Sequence, residues 1–510
     1  MKRALISVTD KTGVVEFSKK LSKLGYEIVS TGNTYKKLIE NGVNAITIDS
    51  VTKFPEILDG RVKTLNPYIH GGILYKREDE GHIQTVKEHG IEGIDIVVVN
   101  LYDFEGTVNS GKNHDEIVEN IDIGGPSMIR SAAKNYKDVC IVVDINDYDI
   151  IIDRLENNEM DEEFRKRLAY KAYSLTARYD SMISSYFQDL CDIEYPDSLT
   201  ITFDKEAELR YGENSHQNGF LYKQPNAKNP ILNYTQLHGK ELSFNNINDL
   251  YGCLEFMREF KDDDKVVSVA IKHANACGVG VGETTFEAYS KCYEADKISI
   301  FGGIIGINSV IDKKTAEMLN QIFFEIIVAY GYDEDALEIL KTKKNLRILK
   351  LEKIENSKQK YDIKYLDGKL LLQDRDRIED EDFNVVTKKS PSDREIEDMK
   401  FGMKVVKNLK SNAIAIVKDG QTLAIGCGQT SRIWALKNAI ENNKDEKNFE
   451  GAVLASDAFF PFGDCVELAS EYKISAVVQP GGSIRDEESI KICDEKNMSM
   501  VFTGIRHFKH

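Results

Sequence analysis

The sequence predicts an α/β protein whose N-terminal part is a doubly wound parallel sheet. Through roughly the first 190 residues, short apolar runs alternate with segments of helical period. The runs are continuous in Val and Ile, as suits strands buried on both faces. At 510 residues the chain also exceeds what one hydrophobic core fills, so more than one domain is expected.

The elements follow in order. Residues 4–8 are a strand closed by Thr9-Asp10-Lys11-Thr12-Gly13. Val15, Phe17, Leu21 and Leu24 then keep helical spacing until Gly25 stops it. Residues 26–30 are a second strand, and Thr31-Gly32-Asn33-Thr34 opens a helix to Gly42. Residues 45–48, 95–101 and 139–143 add strands, and a helix over 162–188 completes the unit. The aperiodic segment 191–200, with Pro196, marks a boundary, giving expected domains of 1–192 and 193–510. Beyond it, strands are expected at 266–271, 326–329, 413–417, 453–455 and 476–478. The lysine-rich stretch 341–364 is expected to separate two subdomains, with the split near 340–375, and no repeat is visible.

Composition removes several function classes. With 67 basic and 84 acidic residues the net charge is −17, which repels nucleic acid and acidic lipid. A small anionic substrate then requires a locally basic cluster. The eight cysteines form no C-x-x-C pair, so neither a disulfide scaffold nor a thiolate zinc site has local support. The apolar run after Lys2-Arg3 is too short for a signal peptide, and nothing approaches a membrane span. A cytoplasmic location without nucleic-acid or membrane partners is expected.

Several constellations suit an anion. The Thr31–Thr34 loop couples a strand end to a helix start, where free N–H groups and hydroxyls form a phosphate cradle. Ser7 and Thr9-Asp10-Lys11 end the neighbouring strand at the same edge, where open parallel sheets bind ligands. Ordinary N-caps are the plain alternative. Gly60-Arg61-Val62-Lys63-Thr64 carries two cations and a hydroxyl in an aperiodic stretch, as either an anion grip or a solvated turn. Ile121-Asp122-Ile123-Gly124-Gly125-Pro126 reads as a helix start, followed by Arg130 and Lys134 on one face.

In the second half, Arg210-Tyr211-Gly212-Glu213-Asn214 and the turn-forming Asn245–Asp249 stretch are unusual as filler. The strand ending in Lys272-His273-Ala274-Asn275 sets a base beside an ammonium at a carboxyl edge, and chemistry is favoured there over a core histidine. Cys277 is either a thiolate paired with His273 or a small buried hydrophobe, and covalent catalysis is not expected. Ser456-Asp457-Ala458-Phe459-Phe460 places a carboxylate before rings able to stack on a planar group.

Taken in order, SVTDKTG, GRVKTL, NLY, IDIGG, AAKN, LRYGEN, LHGKELS, KHAN, FGGII, SNAI, GQTSR, SDAFFPF and PGGS run from Ser7 to RHFKH at the C-terminus. That ordered set resembles the bifunctional purine-biosynthesis family joining a carboxamide-ribonucleotide formyltransferase to an inosinate cyclohydrolase. The resemblance implies an N-terminal methylglyoxal synthase-like domain and a C-terminal domain of two cytidine deaminase-like α/β subdomains. It further implies 10-formyltetrahydrofolate as co-substrate, chemistry without a metal, and a homodimer with formyltransferase sites between subunits. By motif, Lys63, Tyr102, Asp122 and Lys134 would form the cyclohydrolase set, with Ser7, Thr9, Lys11, Thr31, Gly32, Thr34, Arg61 and Thr64 on its nucleotide. Lys272 and His273 would catalyse formyl transfer, with Asn412, Arg432 and Asp457 at site positions and Arg210, Tyr211 and Asn246 on the ribonucleotide.

The chain departs from the family pattern at Asn66 and Leu175 (His is usual), at Asp103, Ser215 and Ala276 (Pro), and at Asn33 (Gly). Asn66 and Asp103 are expected to bear on cyclohydrolase efficiency. Two rivals remain: a nucleotide-sensing regulatory protein without turnover, and a zinc deaminase. The deaminase requires a P-C-x-x-C segment that the sequence lacks.

Overall fold

Strand β1 (Lys2–Ser7) is the hub of a five-stranded parallel sheet with β2 (Tyr26–Ser30), β3 (Ala45–Thr47), β4 (Ile96–Val99) and β5 (Cys140–Val142), in the order β3-β2-β1-β4-β5. These strands belong to the first of two units in a computed structural model that describes residues 2–225, 227, 230–356, 359–377 and 382–510. The units are Met1–Asp204 with Lys223–Asn226, and Lys205–Tyr222 with Ala227–His510. All four residues of β4 are buried, the two-faced burial that its unbroken Ile-Val run requires. Helices α1 (Val14–Lys23), α2 (Gly32–Glu40), α3 (Ile48–Thr52), α4 (Pro67–Leu74), α5 (Glu80–Glu88), α6 (Phe104–Asn109), α7 (His114–Glu119), α8 (Gly124–Lys134), α9 (Tyr148–Glu156) and α10 (Glu162–Leu190) complete this unit. The winding reverses between β1 and β4, which opens a crevice at their carboxyl ends.

In the second unit, β6 (Asp204–Leu209) and β7 (Gly219–Lys223) pair with each other. Next come β8 (Tyr234–His238), α11 (Phe244–Arg258), β9 (Val266–Lys272), β10 (Asn275–Gly282), α12 (Thr285–Ala295), β11 (Ile304–Ile311), α13 (Lys313–Leu319), β12 (Ile326–Tyr332), α14 (Glu334–Lys341) and β13 (Arg347–Leu351). A hairpin, β14 (Tyr361–Leu366) and β15 (Lys369–Asp374), precedes β16 (Asn384–Val385). The last stretch holds α15 (Asp393–Val406), β17 (Ile414–Lys418), β18 (Gln421–Gly426), α16 (Arg432–Glu441), β19 (Val453–Ser456), α17 (Asp464–Glu471), β20 (Ala476–Gln479), α18 (Asp486–Glu495) and β21 (Ser499–Phe502).

The second unit is internally duplicated. From α11 to β13 and from α15 to β21, each half runs helix, antiparallel hairpin, then three helix–strand steps. In each half the third strand lies antiparallel to the first strand of the hairpin, and the last two continue parallel. The halves join through β10 and β18 into one sheet of order β16-β21-β20-β19-β17-β18-β10-β9-β11-β12-β13-β8. Sequence shows no repeat because the two copies share apolar pattern rather than residues.

The glycines of β10 let α12 lie close on the sheet: a Cβ on Gly280 would sit 2.5 Å from the Ala288 carbonyl oxygen. That glycine run hid β10 from sequence patterning. The stretch 341–364 is not a plain linker. It contains β13, whose Ile348, Leu349 and Leu351 are buried, and among its described residues it also begins β14, while 357–358 lie outside the described residues.

Two departures from the family pattern turn out to be helix caps. Asn66 accepts a hydrogen bond from Tyr68 N at 2.9 Å to start α4, and Asp103 accepts one from Gly106 N at 2.8 Å to start α6. Asn66→Ala is expected to cost about 1 kcal/mol of stability, read as a lowered thermal midpoint. Leu175, another departure, packs on the core of the first unit.

Candidate functional site

In the first unit the carboxyl edge of the sheet gathers the predicted nucleotide ligands. Ser7 Oγ lies 2.7 Å from Thr31 Oγ1, joining the ends of β1 and β2. Thr31 is the N-cap of α2, and the Gly32 and Asn33 N–H groups of its first turn have no carbonyl ahead of them in the helix. Gly32 has φ 40°, and a Cβ there would meet no atom within 4 Å. Thr34 braces this cradle. Its hydroxyl donates to Val8 O (2.9 Å) and accepts from Val8 N (3.2 Å), and its N–H donates to Thr31 O, so both of its donors are engaged within the protein.

Asn100, just past β4, was not singled out as a site residue. Its Oδ1 accepts from Thr9 N (2.5 Å) and Asp10 N (3.0 Å), and its Nδ2 donates to Asp10 O (2.9 Å). This amide clips the β1 turn across the crevice and holds Lys11, whose Nζ donates to Thr9 O at 3.0 Å. Its sequence signals were its place at a strand's end and at the head of the NLY motif.

The segment before α4 meets the start of α8. Thr64 is buried, and a Cβ on Gly124 would stand 2.7 Å from its hydroxyl, so only glycine fits there. Asp122 accepts from Gly125 N at 2.8 Å, while its own N–H donates to Tyr179 Oη at 2.8 Å. Burial raises the Asp122 pKa, against the Gly125 N–H and the Lys63 charge. Tyr102 is raised too, by burial first and then by Asp122. Lys63, Tyr102 and Asp122 therefore form one electrostatic group. Arg61 flanks it, paired with Glu119.

Lys134 does not join that group. It ends α8, about 15 Å along the axis from Gly124, exposed beside Tyr170 and Tyr173 of α10. Lys63 is the cation beside Asp122. Helical spacing had placed Lys134 with Arg130, not with Asp122; only the motif order had grouped them.

In the second unit α11 is the anchor. Asn245–Asp249, expected as a turn, is the first two turns of this helix, begun by a reciprocal Ser243–Asn246 capping box. The box takes up the Asn246 side-chain oxygen. Asn245 Nδ2 donates to Glu213 O at 3.2 Å, tying down the loop that carries Arg210 and Tyr211, whose guanidinium and ring lie 5.5 Å apart. Four residues on, Asp249 holds the β9–β10 turn: Oδ2 accepts from His273 N (3.3 Å) and Oδ1 from Ala274 N (2.8 Å). His273 and Ala274 both have left-handed backbones, φ 53° and 56°, and the His273 ring is exposed. Lys272 Nζ donates to Phe301 O at 2.9 Å.

Asn275, at the end of that turn, receives a weak contact from Cys427 Sγ at 3.6 Å. Two residues further, Gln429 O accepts from Asn412 Nδ2 at 2.8 Å. The Lys272–His273 turn and Asn412 thus meet through one short segment. Burial pushes the Cys277 thiol up to about 12, leaving no thiolate nucleophile.

Asp457 and Arg432, expected at site positions, both lie in the interior. Asp457 is 0% exposed and Arg432 5%. The Arg432 guanidinium bonds Asp457 Oδ1, Ser456 Oγ (2.8 Å) and Asn412 Oδ1 (2.8 Å), while Ser411 Oγ donates to Asp457 Oδ2 at 2.6 Å. Both carboxylate oxygens are hydrogen-bonded within the protein and Asp457 has no exposed surface. Of the aromatic run, Phe460 is core and Phe462 is exposed beneath the Arg485 guanidinium.

A five-stranded parallel sheet with a helix-start cradle at its carboxyl edge, followed by a duplicated α/β unit with a Lys-His turn, is the frame of an enzyme acting on small molecules. Residues 13–127 match the MGS-like domain family and residues 132–442 the family described as AICARFT/IMPCHase bienzyme. The chain is 73% identical over 509 residues to the bifunctional purine biosynthesis protein PurH of Clostridioides difficile (strain 630), with 100% of both chains covered. It is 53% identical over 511 residues to the protein of that name from Clostridium botulinum (strain 657 / Type Ba4), again with 100% of both covered. The chain belongs to the AICARFT/IMPCHase bienzyme family. It is a bifunctional formyltransferase and cyclohydrolase of the last two steps of IMP synthesis, with 10-formyltetrahydrofolate as formyl donor. The sensor reading is set aside.

Proposed function

We propose that the two reactions occupy separate places: ring closure in the β1–β4 crevice of domain 1–192, and formyl transfer at the β9–β10 turn of domain 193–510. The observation that carries this is the backbone hold on His273, which presents an exposed imidazole beside Lys272 on a fixed turn. Arg210, Tyr211 and the Asn246 amide nitrogen take the ribonucleotide. The substrate amine is conjugated with its carboxamide and is a weak nucleophile. His273 takes its proton as the C–N bond to the formyl carbon forms, and Lys272 offers its charge to the oxygen that becomes anionic. Formyl-folate supplies the one-carbon unit: the oxyanion collapses, the bond from the formyl carbon to the folate nitrogen breaks, and that nitrogen leaves with the proton His273 has taken. The exposed Phe462 ring beside Arg485 suits the folate's planar ring and carboxylates.

For ring closure, Ser7, Thr9, Lys11, Thr31, Gly32, Arg61 and Thr64 hold the nucleotide, with Thr34 bracing them through Val8. Lys63 polarises the formyl oxygen as the carboxamide nitrogen attacks, and Asp122 with Tyr102 accepts and relays the proton before water leaves. Asp122 must be ionised to accept, and its raised pKa means that the ionised form is lost at higher pH than for an ordinary carboxyl. The cyclohydrolase rate is expected to fall on acidification with a midpoint above 3.8. Asp122→Asn should lower the rate about 100-fold and erase that limb in a pH profile with preformed formylated substrate. An unchanged limb in the variant would assign it elsewhere.

The enzyme works in the cytoplasm as a homodimer with formyltransferase sites between subunits. No described helix is long and apolar enough to cross a membrane. The β14–β15 hairpin exposes Tyr365, Leu366, Leu370 and Leu371, an apolar arm suited to burial against a second copy. Sedimentation of the purified enzyme tests this, a monomer at assay concentration being the contrary result.

A further inference from the structure

The duplication of the second unit extends to single atoms around its two hairpin turns. Counting from the helix caps, Ser243, Asn245, Asn246 and Asp249 of α11 correspond to Ser392, Arg394, Glu395 and Asp398 of α15, and both helices begin with a capping box. The β9–β10 turn, Lys272-His273-Ala274-Asn275, corresponds to the β17–β18 turn, Lys418-Asp419-Gly420-Gln421, with left-handed central residues in both. Asp398 grips its turn as Asp249 does, accepting from Asp419 N at 3.1 Å and Gly420 N at 3.0 Å. Even the lysines match: Lys418 Nζ donates to Glu450 O and Lys272 Nζ to Phe301 O, both at 2.9 Å and both three residues before the third strand.

Three of the differences between the copies bear on how the turn is held. In the second half Arg394 bonds Asp398 at 2.8 Å and lies 3.7 Å from Asp419, so the turn side chain sits in an ion network. In the first half Asn245 replaces Arg394 and His273 replaces Asp419, which leaves the imidazole without that tether. The remaining difference is Ala274 against Gly420. A residue with a Cβ is strained in left-handed backbone and glycine is not. The first turn therefore depends on its carboxylate more than the second does.

We infer that Asp249 is a positioning residue for formyl transfer: its carboxylate fixes the strained His273–Ala274 backbone and thereby aims the imidazole. This rests on the reading that His273 takes the proton, and on nothing in the cyclohydrolase site. The full-length enzyme is assayed for each half-reaction with Asp249→Ala, Asp249→Asn and Asp249→Ala/Ala274→Gly. Asp249→Ala is expected to lower kcat for formyl transfer by about 10- to 100-fold with KM changed less than about threefold, since misaiming acts on the reacting geometry rather than on binding. Asp249→Asn, retaining one acceptor oxygen, should lose less. Ala274→Gly, which lets the turn adopt its shape without the clamp, should recover at least about threefold of the loss. Cyclohydrolase activity should be unchanged in all three, and a thermal melt of each full-length variant certifies that it is folded. Should the alanine variant not fold, the asparagine variant carries the comparison. A kcat within about twofold of wild type in Asp249→Ala, or equal loss in both variants without recovery by Ala274→Gly, overturns the inference. Retention of formyl transfer by His273→Ala would instead overturn the site reading itself.

Discussion

A His273→Ala enzyme is expected to lose formyl transfer by about 1000-fold while still closing the ring of preformed formylated substrate at the wild-type rate. The magnitude follows from the step removed. The aminoimidazole nitrogen carries a proton that must leave as its bond to the formyl carbon forms, and no other imidazole or carboxylate with a free face is held on this turn: the Asp249 oxygens are both taken by backbone N–H groups. Lys272 cannot substitute, since its ammonium is bound to Phe301 O and has no lone pair to accept a proton. The selectivity follows because Lys63, Tyr102 and Asp122, the groups proposed for ring closure, lie in a different unit. Separate assays of the two half-reactions decide the matter, and parallel loss of both would count against distinct sites.

Asp457→Ala is expected to be the most damaging single change to stability, at about 3–5 kcal/mol. It leaves the Arg432 guanidinium buried with its charge uncompensated, and it strips Ser411 and the backbone that Asp457 organises. Ser411 Oγ accepts from Lys509 N at 3.0 Å, and His507 N donates to Asp457 O at 2.8 Å, so the C-terminal segment is tied to the same knot. Asn412 loses its orientation with it, and formyl transfer falls even in the folded fraction. Thermal melts should show a large drop for the single variant. The double variant Arg432→Met/Asp457→Val should recover much of that stability, because removing both charges removes the desolvation problem, but it should not recover formyl transfer. A melt within about 2 °C of wild type for Asp457→Ala would mean that the pair contributes little.

The burial of Asp457 and that of Arg432 were illegible for one shared reason. Asp457 and Arg432 sit in motifs with the look of chemistry, polar residues at strand ends, and sequence carries no measure of burial for a charged side chain whose partner lies 25 residues away. Lys134 was grouped with Asp122 by motif order alone, and a rigid helix keeps its two ends apart. Asp249 was passed over for the converse reason: in a stretch of Asn and Asp it looked like turn material, and only the capping box at Ser243 makes it helix.

Local chemistry settled the rest. Unbroken Val/Ile runs imposed a parallel sheet on the first unit because only a strand covered on both faces accommodates them, and the placement of Ser7, Thr31 and Gly32 at one sheet edge followed from strand-then-helix order alone. Lys272 and His273 were likewise marked by closing a buried strand with ionisable groups. What required three dimensions was every relation between distant segments: the clip of Asn100 on Thr9, the burial of Asp457, and the twofold copying of a carboxylate-held turn. Those depend on which surfaces exclude water and which backbone groups end up facing one another, and a one-dimensional pattern contains neither.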